Sequence, residues 1–242
     1  HVALGANTTG TLNSAFGSSS LDANTTGGSN VAMGNNALGA NTTGSGNVAL
    51  GRSSLMANTT ASNNVAVGYL ALTGNIEGAD NVAVGYNALP VNTVAGSTGV
   101  GANALNVNTT GGNNAAFGRN VMVANTTGAS NTAVGAYALD ANTTASNSNA
   151  FGLNALGLNT TGAHNNAFGY GALDANTTAA HNCAFGHDAL GLNTTGYNNV
   201  AVGNYAMDAN TTGPACVAVG YGALGANTTA ASNTAVGYFA LA

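Results

Sequence analysis

The sequence predicts an all-β parallel β-solenoid, a β-roll of about fourteen 17-residue coils. It predicts one continuous repeat domain over residues 1–242. Three observations carry this. First, a glycine closes an N-V-A-V-G-like block every 17 residues, from Gly17 to Gly237, with a single 16-residue step between Gly85 and Gly101. Second, the apolar pieces are short and bounded by Gly and Asn-Thr-Thr, and no apolar stripe of 3.6-residue period runs long enough for a helix. Third, only 4% of residues are charged, yet 45% are hydrophobic. A chain stacked on its own copies every ~4.8 Å would set each charge against a like charge, so neutral Asn, Thr, Ala and Gly dominate.

The unit reads N-V-A-V-G-Y-x-A-L-x-A-N-T-T-G-x-x, with its invariant Gly at position 5. The V-A-V and A-L pieces predict two short strands per coil. Position 4 is apolar in every copy, as at Val67, Val84, Phe117 and Phe168, and position 9 is Leu or, at Met122 and Met207, Met. Both are expected to face the core, with position 2 inward near an edge because strand side chains alternate. Positions 6 and 7 vary freely and are expected to be exposed. Position 10, often Gly, Asp or Asn, is expected to hold a turn with unusual backbone angles. One coil buries too little to stand alone: about three large side chains at ~1.5–3 kcal/mol each against ~1–2 kcal/mol of backbone ordering per residue. Stacking must close that gap.

Position 12 is Asn in all fourteen copies from Asn7 to Asn227, and twelve of them are followed by Thr-Thr. Asn24, Asn41, Asn58, Asn108, Asn125, Asn142, Asn159, Asn176, Asn193, Asn210 and Asn227 are therefore either N-glycosylation acceptors or rungs of an amide ladder. Asn75 and Asn92 keep the Asn and lose the sequon, which favours a structural demand on the amide. A second Asn column at position 1, including Asn30, Asn47 and Asn64, reads as turn capping or a ladder.

Position 3 is Ala in fourteen of fifteen copies, with Gly99 the other. Alternation against positions 2 and 4 places it outside. A constant small residue on an outer face predicts a close-packed neighbour there, a partner chain or a second sheet of the same chain; the alternative is that Ala merely suits a narrow coil. The assembly-face candidates are Ala32, Ala49, Ala66, Ala83, Ala116, Ala133, Ala150, Ala167, Ala184, Ala201, Ala218 and Ala235.

Asp140, Asp174 and Asp208 occupy position 10 in alternate coils, with Gly157, Gly191 and Gly225 between them. Part of the chain thus repeats as a 34-residue pair. His164 and His181 share position 17 in consecutive coils, which reads as exposed surface. Cys183 and Cys216 lie almost two coils apart, beyond disulfide reach, and are expected to be free thiols or bonded to another chain. No metal site, cofactor site or catalytic constellation is expected, and the chain reads as a non-enzyme. Two Arg against seven acids exclude a basic nucleic-acid surface. No apolar run approaches the ~20 residues of a membrane span.

The blocks Asn64-Val-Ala-Val-Gly68 and Asn131-Thr-Ala-Val-Gly135 resemble the head repeats of trimeric autotransporter adhesins. The fuller N-T-A-V-G-Y-x-A-L-x-A-N-T-T-G run is similar to repeats of phage-type tail-fibre proteins. The resemblance implies a left-handed roll, trimeric in the adhesin family, working outside the cell as a shaft or adhesive head. The chain starts and stops inside the repeat, which predicts a segment of a longer fibre or a subunit that stacks end to end. Three functions follow as expectations. The first is a structural subunit of an extracellular fibre or filament on a cell surface or virion, with other copies of itself as partner, a trimer included. The second is a receptor-binding fibre that takes a cell-surface or glycan ligand through Tyr69, Tyr86, Tyr137, Tyr170, Tyr205, Tyr221, Tyr238 and Phe239. The third is an ice-binding solenoid using the Asn-Thr-Thr face, which Glu77, Val94 and the 16-residue step interrupt.

Overall fold

The computed structural model describes residues 2–242, which form two compact units, residues up to Arg119 and residues from Asn120 onward. Each unit is a parallel β-solenoid. The first carries β1 (Ser14–Phe16), β2 (Val31–Met33), β3 (Val48–Leu50), β4 (Val65–Val67), β5 (Val82–Val84), β6 (Thr98–Val100) and β7 (Ala115–Phe117). The second carries β8 (Thr132–Val134), β9 (Asn149–Phe151), β10 (Asn166–Phe168), β11 (Cys183–Phe185), β12 (Val200–Val202), β13 (Val217–Val219) and β14 (Thr234–Val236). Within a unit each strand pairs in parallel with the next, column on column, so Ala32 lies opposite Ala49 and Ala201 opposite Ala218. The expected all-β parallel solenoid with 17-residue coils is the observed fold.

There is one strand per coil, not two. The A-L piece is a turn, because the residue at position 9 takes a left-handed backbone: φ is 50° at Leu55 and 49° at Met122. Position 7 does the same, as at Asn36 (φ 58°), and so does position 17, as at Asn63 (φ 61°). Position 10, expected to need such angles, does not take them. Asn, Asp and Ser tolerate the left-handed region by local hydrogen bonding. Leu does not, so its burial must offset a strain of ~1–2 kcal/mol per coil. Backbone bonds still run between coils through the turn, from the Leu38 N–H to the Ser54 carbonyl at 3.0 Å and from the Ala40 N–H to the Met56 carbonyl at 3.1 Å.

The interior reverses the expected faces of the strand. The whole assembly-face set is inside: Ala32, Ala49, Ala66, Ala83, Ala116, Ala133, Ala150, Ala167, Ala184, Ala201, Ala218 and Ala235 are buried. Positions 2 and 4 point outward, and Phe16, Met33, Phe117 and Phe185 are exposed. The cause is the width of the coil. A Cβ built on Gly99, which replaces Ala at position 3, would sit 3.1 Å from Leu89 Cδ1. The position-3 methyl therefore packs straight onto the buried Leu column, and nothing larger fits between strand and turn. The Ala column at position 8, as at Ala71 and Ala155, completes the apolar filling.

Two amide ladders complete the interior. At position 12, Asn41 Nδ2 donates to Asn24 Oδ1 at 2.8 Å and to the Gly44 carbonyl at 3.0 Å, while its own Oδ1 accepts from Asn58 Nδ2 at 2.8 Å. At position 1, the Asn47 N–H donates to Asn30 Oδ1 at 2.9 Å, and Asn47 Nδ2 closes the coil onto the Ala61 carbonyl at 2.9 Å. Buried amides must be bonded, and here each bonds both within its coil and to the next. The position-12 ladder breaks between Asn75 and Asn92, one coil before the 16-residue step: Asn75 Oδ1 is buried with no hydrogen-bond donor, and Asn92 Nδ2 turns to the Val94 carbonyl at 2.7 Å. The ladder resumes where Asn108 Nδ2 donates to Asn92 Oδ1 at 2.8 Å.

Candidate functional site

The coil geometry sorts the sequence-level candidates into three outer faces and an interior. The position-12 asparagines belong to the interior. Asn24, Asn41, Asn58, Asn108, Asn125, Asn142, Asn159, Asn176, Asn193 and Asn210 are fully buried, and Asn227 is half-buried. A glycan on Nδ2 would need that nitrogen in solvent, whereas Asn142 Nδ2 is held by Asn125 Oδ1 at 2.7 Å and the Ala145 carbonyl at 3.1 Å. Peptide mapping of the folded chain, expressed in a host that glycosylates, is therefore expected to find Asn142 and Asn159 unmodified. A glycan on either residue in folded protein would overturn the ladder assignment.

The first outer face is the sheet itself, made by positions 2 and 4. It carries no charged residue in any coil. On it the rings of Phe151, Phe168 and Phe185 stack at 4.7 and 4.6 Å, nearly parallel. Sequence reasoning assigned these side chains to the core. The usable signal was variability: position 3 hardly changes between copies, while positions 2 and 4 range over Val, Thr, Asn, Phe and Met.

The second face carries the threonines after position 12. The first hydroxyl of each pair is used in stacking, as where Thr25 Oγ1 donates to the Thr42 carbonyl at 3.0 Å. The second is exposed, as at Thr144, Thr161 and Thr178.

The third face is built from positions 6, 7 and 10. In the second unit it forms an aromatic ladder. Tyr170 stacks on His187 at 5.0 Å, His187 meets Tyr205 at 5.1 Å, Tyr205 meets Tyr221 edge-on at 5.7 Å, and Tyr221 stacks on Tyr238 at 5.5 Å. In the first unit the same face holds Tyr69 and Tyr86 at 5.9 Å, with the Arg52 guanidinium 5.6 Å from the Tyr69 ring. Beside the ladder of the second unit, Gly157 and Gly191 leave notches between the aspartates of neighbouring coils. One cleft of about 210 Å³ is lined by Tyr137, Asp140, Gly157, Leu158 and Asp174. Another of about 320 Å³ is lined by Asp174, Asp188, Gly191, Leu192, Tyr205 and Asp208. Burial raises the carboxyl pKa values of Asp140, Asp174 and Asp208, and the Asp188 charge adds to the rise at Asp174 and Asp208. Asp188 Oδ2 lies 3.1 Å from His187 Nδ1.

His164 and His181 stack with ring centroids 4.9 Å apart. Among the described residues no group of three His, Cys, Asp or Glu side chains is placed to hold a metal ion. Cys183 and Cys216 are free thiols. Cys183 sits on the outer sheet face, where burial pushes its thiol pKa up. Cys216 replaces an Asn of the position-1 ladder and is buried. No family model, curated protein or solved structure matches the chain.

Proposed function

We propose that the chain is a structural subunit of an extracellular fibre, whose shaft is the coil stack and whose partner is a second copy of the same chain. The observation that carries this reading is the uncharged face of the strand column, apolar in every coil at position 4. An apolar surface that runs from coil to coil is unusual for a protein that remains alone. Like surfaces can meet on it without charge repulsion. The partner-facing surface in this reading is therefore positions 2 and 4, in place of the alanine column.

Size-exclusion chromatography with light scattering, with electron microscopy of the same sample, tests it. The wild-type chain is expected to associate in a concentration-dependent way. Phe168→Lys is expected to abolish that association with an unchanged circular dichroism spectrum, since the ring packs outside the coil and burying a Phe supplies ~1.5–3 kcal/mol. A wild-type chain that stays monomeric at high concentration would refute the reading.

A second reading is favoured by the exposed aromatic ladder: the fibre also binds a surface ligand through positions 6, 7 and 10. Exposed stacked rings beside polar clefts are the usual composition of a binding surface.

A further inference from the structure

We propose that the notches of the second unit are consecutive subsites for an extended neutral glycan lying along the coil axis. The proposal rests on the ligand-binding reading and names its site and ligand class. In the position-10 column Asp140, Gly157, Asp174, Gly191 and Asp208 alternate coil by coil. Clefts lie at Gly157 and again at Gly191; at Gly157 the Asp174 carboxylate leans into the space a side chain would take. Asp174 lines both clefts. The site thus recurs every two coils, roughly 10 Å at the strand spacing. That is about the length of one extended disaccharide unit.

The lining chemistry selects among ligands. Each cleft is lined by both apolar and carboxylate side chains: Leu158 and Tyr137 with Asp140 and Asp174 in one, Leu192 and Tyr205 with Asp174, Asp188 and Asp208 in the other. Ionised carboxylates only accept hydrogen bonds, so the ligand must bring both hydrogen-bond donors and apolar surface. A pyranose does both, with hydroxyls at its rim and C–H groups on its faces. A shared cation does not fit. A calcium ion needs its oxygens converging at about 2.3–2.6 Å, and among the described residues Asp174, Asp188 and Asp208 do not form a group of three placed to hold a metal ion.

Substitution precedent gives a clean test. Met56 occupies position 10 in the first unit, so the coil accepts a long side chain there. Gly191 does not take a left-handed backbone. Gly191→Met should therefore fill the cleft without unfolding the coil. The experiment is isothermal titration of the full chain with cellohexaose and with N-acetylated chitohexaose, alongside hexalysine and calcium chloride. At least one hexasaccharide is expected to bind. Asp174→Asn and Asp208→Asn are each expected to weaken that binding by about tenfold or more, the effect of a lost charge-assisted bond. Gly191→Met is expected to remove it, with an unchanged circular dichroism spectrum. Hexasaccharide binding indifferent to all three variants would overturn the site and leave the ligand-binding reading standing. Absence of binding to both sugars would overturn the proposal and count against that reading. Salt-sensitive binding of hexalysine alone would overturn it in favour of a cationic partner.

Discussion

Gly68→Ala is expected to destabilise the first unit by on the order of 4 kcal/mol. Gly68 has φ of +134°, a region closed to side chains, and an added Cβ would overlap the backbone of Gly85, 2.7 Å from its carbonyl carbon. Gly85 cannot retreat, because the same Cβ built on it would lie 2.6 Å from the Gly101 carbonyl oxygen. The stack transmits the clash instead of absorbing it. The control is Gly112→Ala in the same unit, where the nearest atom is the Ala95 carbonyl oxygen at 3.6 Å and φ is ordinary. That variant should stay within ~0.5 kcal/mol of wild type. Urea unfolding followed by far-ultraviolet circular dichroism separates the two. Equal midpoints would show that the glycine column is not a close-contact ladder.

Asn142→Ala carries the second large effect, in the second unit. It removes the bond to Asn125 Oδ1 at 2.7 Å, the bond to the Ala145 carbonyl at 3.1 Å and the bond received from Asn159 at 3.3 Å. Two of the neighbours keep other partners: Asn131 still donates to the Ala145 carbonyl, and Asn159 to the Gly162 carbonyl. The expected cost is therefore about 2–3 kcal/mol, or roughly 5–10 °C in the unfolding midpoint for a chain of this size. Asn142→Asp should cost more than Asn142→Ala at neutral pH. A carboxylate there has no proton to donate and faces two oxygens, Asn125 Oδ1 and the Ala145 carbonyl, in a buried place. Thr144→Ala, on the exposed threonine column, should shift the midpoint little. An Asn142→Asp chain as stable as wild type would sink the amide-ladder account.

The two substitutions probe the parts of the fold that the sequence states most directly. The 17-residue step, the glycine that closes each block and the Asn that outlives its sequon at Asn75 and Asn92 are all columns. A column in a stacking coil is a demand made by the copy above and below. The face of the strand was not legible in the same way. Three residues such as Val31-Ala32-Met33 give alternation without saying which parity is inside, and a shift of one residue exchanges the two faces. Reading bulk as core put Val and Phe inside. The turn geometry decides otherwise. A left-handed Leu at position 9 projects across a narrow coil and leaves room opposite it only for a methyl group.

The clefts of the second unit were half legible. The alternation of Asp140, Gly157, Asp174, Gly191 and Asp208 was visible as a 34-residue pattern. That Tyr205 and Asp188 converge on the same notch was not, because both come from position 7, Asp188 from the notch's own coil and Tyr205 from the next. By itself the sequence determined the stacked coil, its period and its neutral composition, because these follow from each residue meeting its own copy. Only the tertiary structure decided what lies inside, because the width of the coil is set by the left-handed turns and the Leu column together, and neither can be read from a single repeat. The alanines became the core, and the larger apolar side chains became the surface.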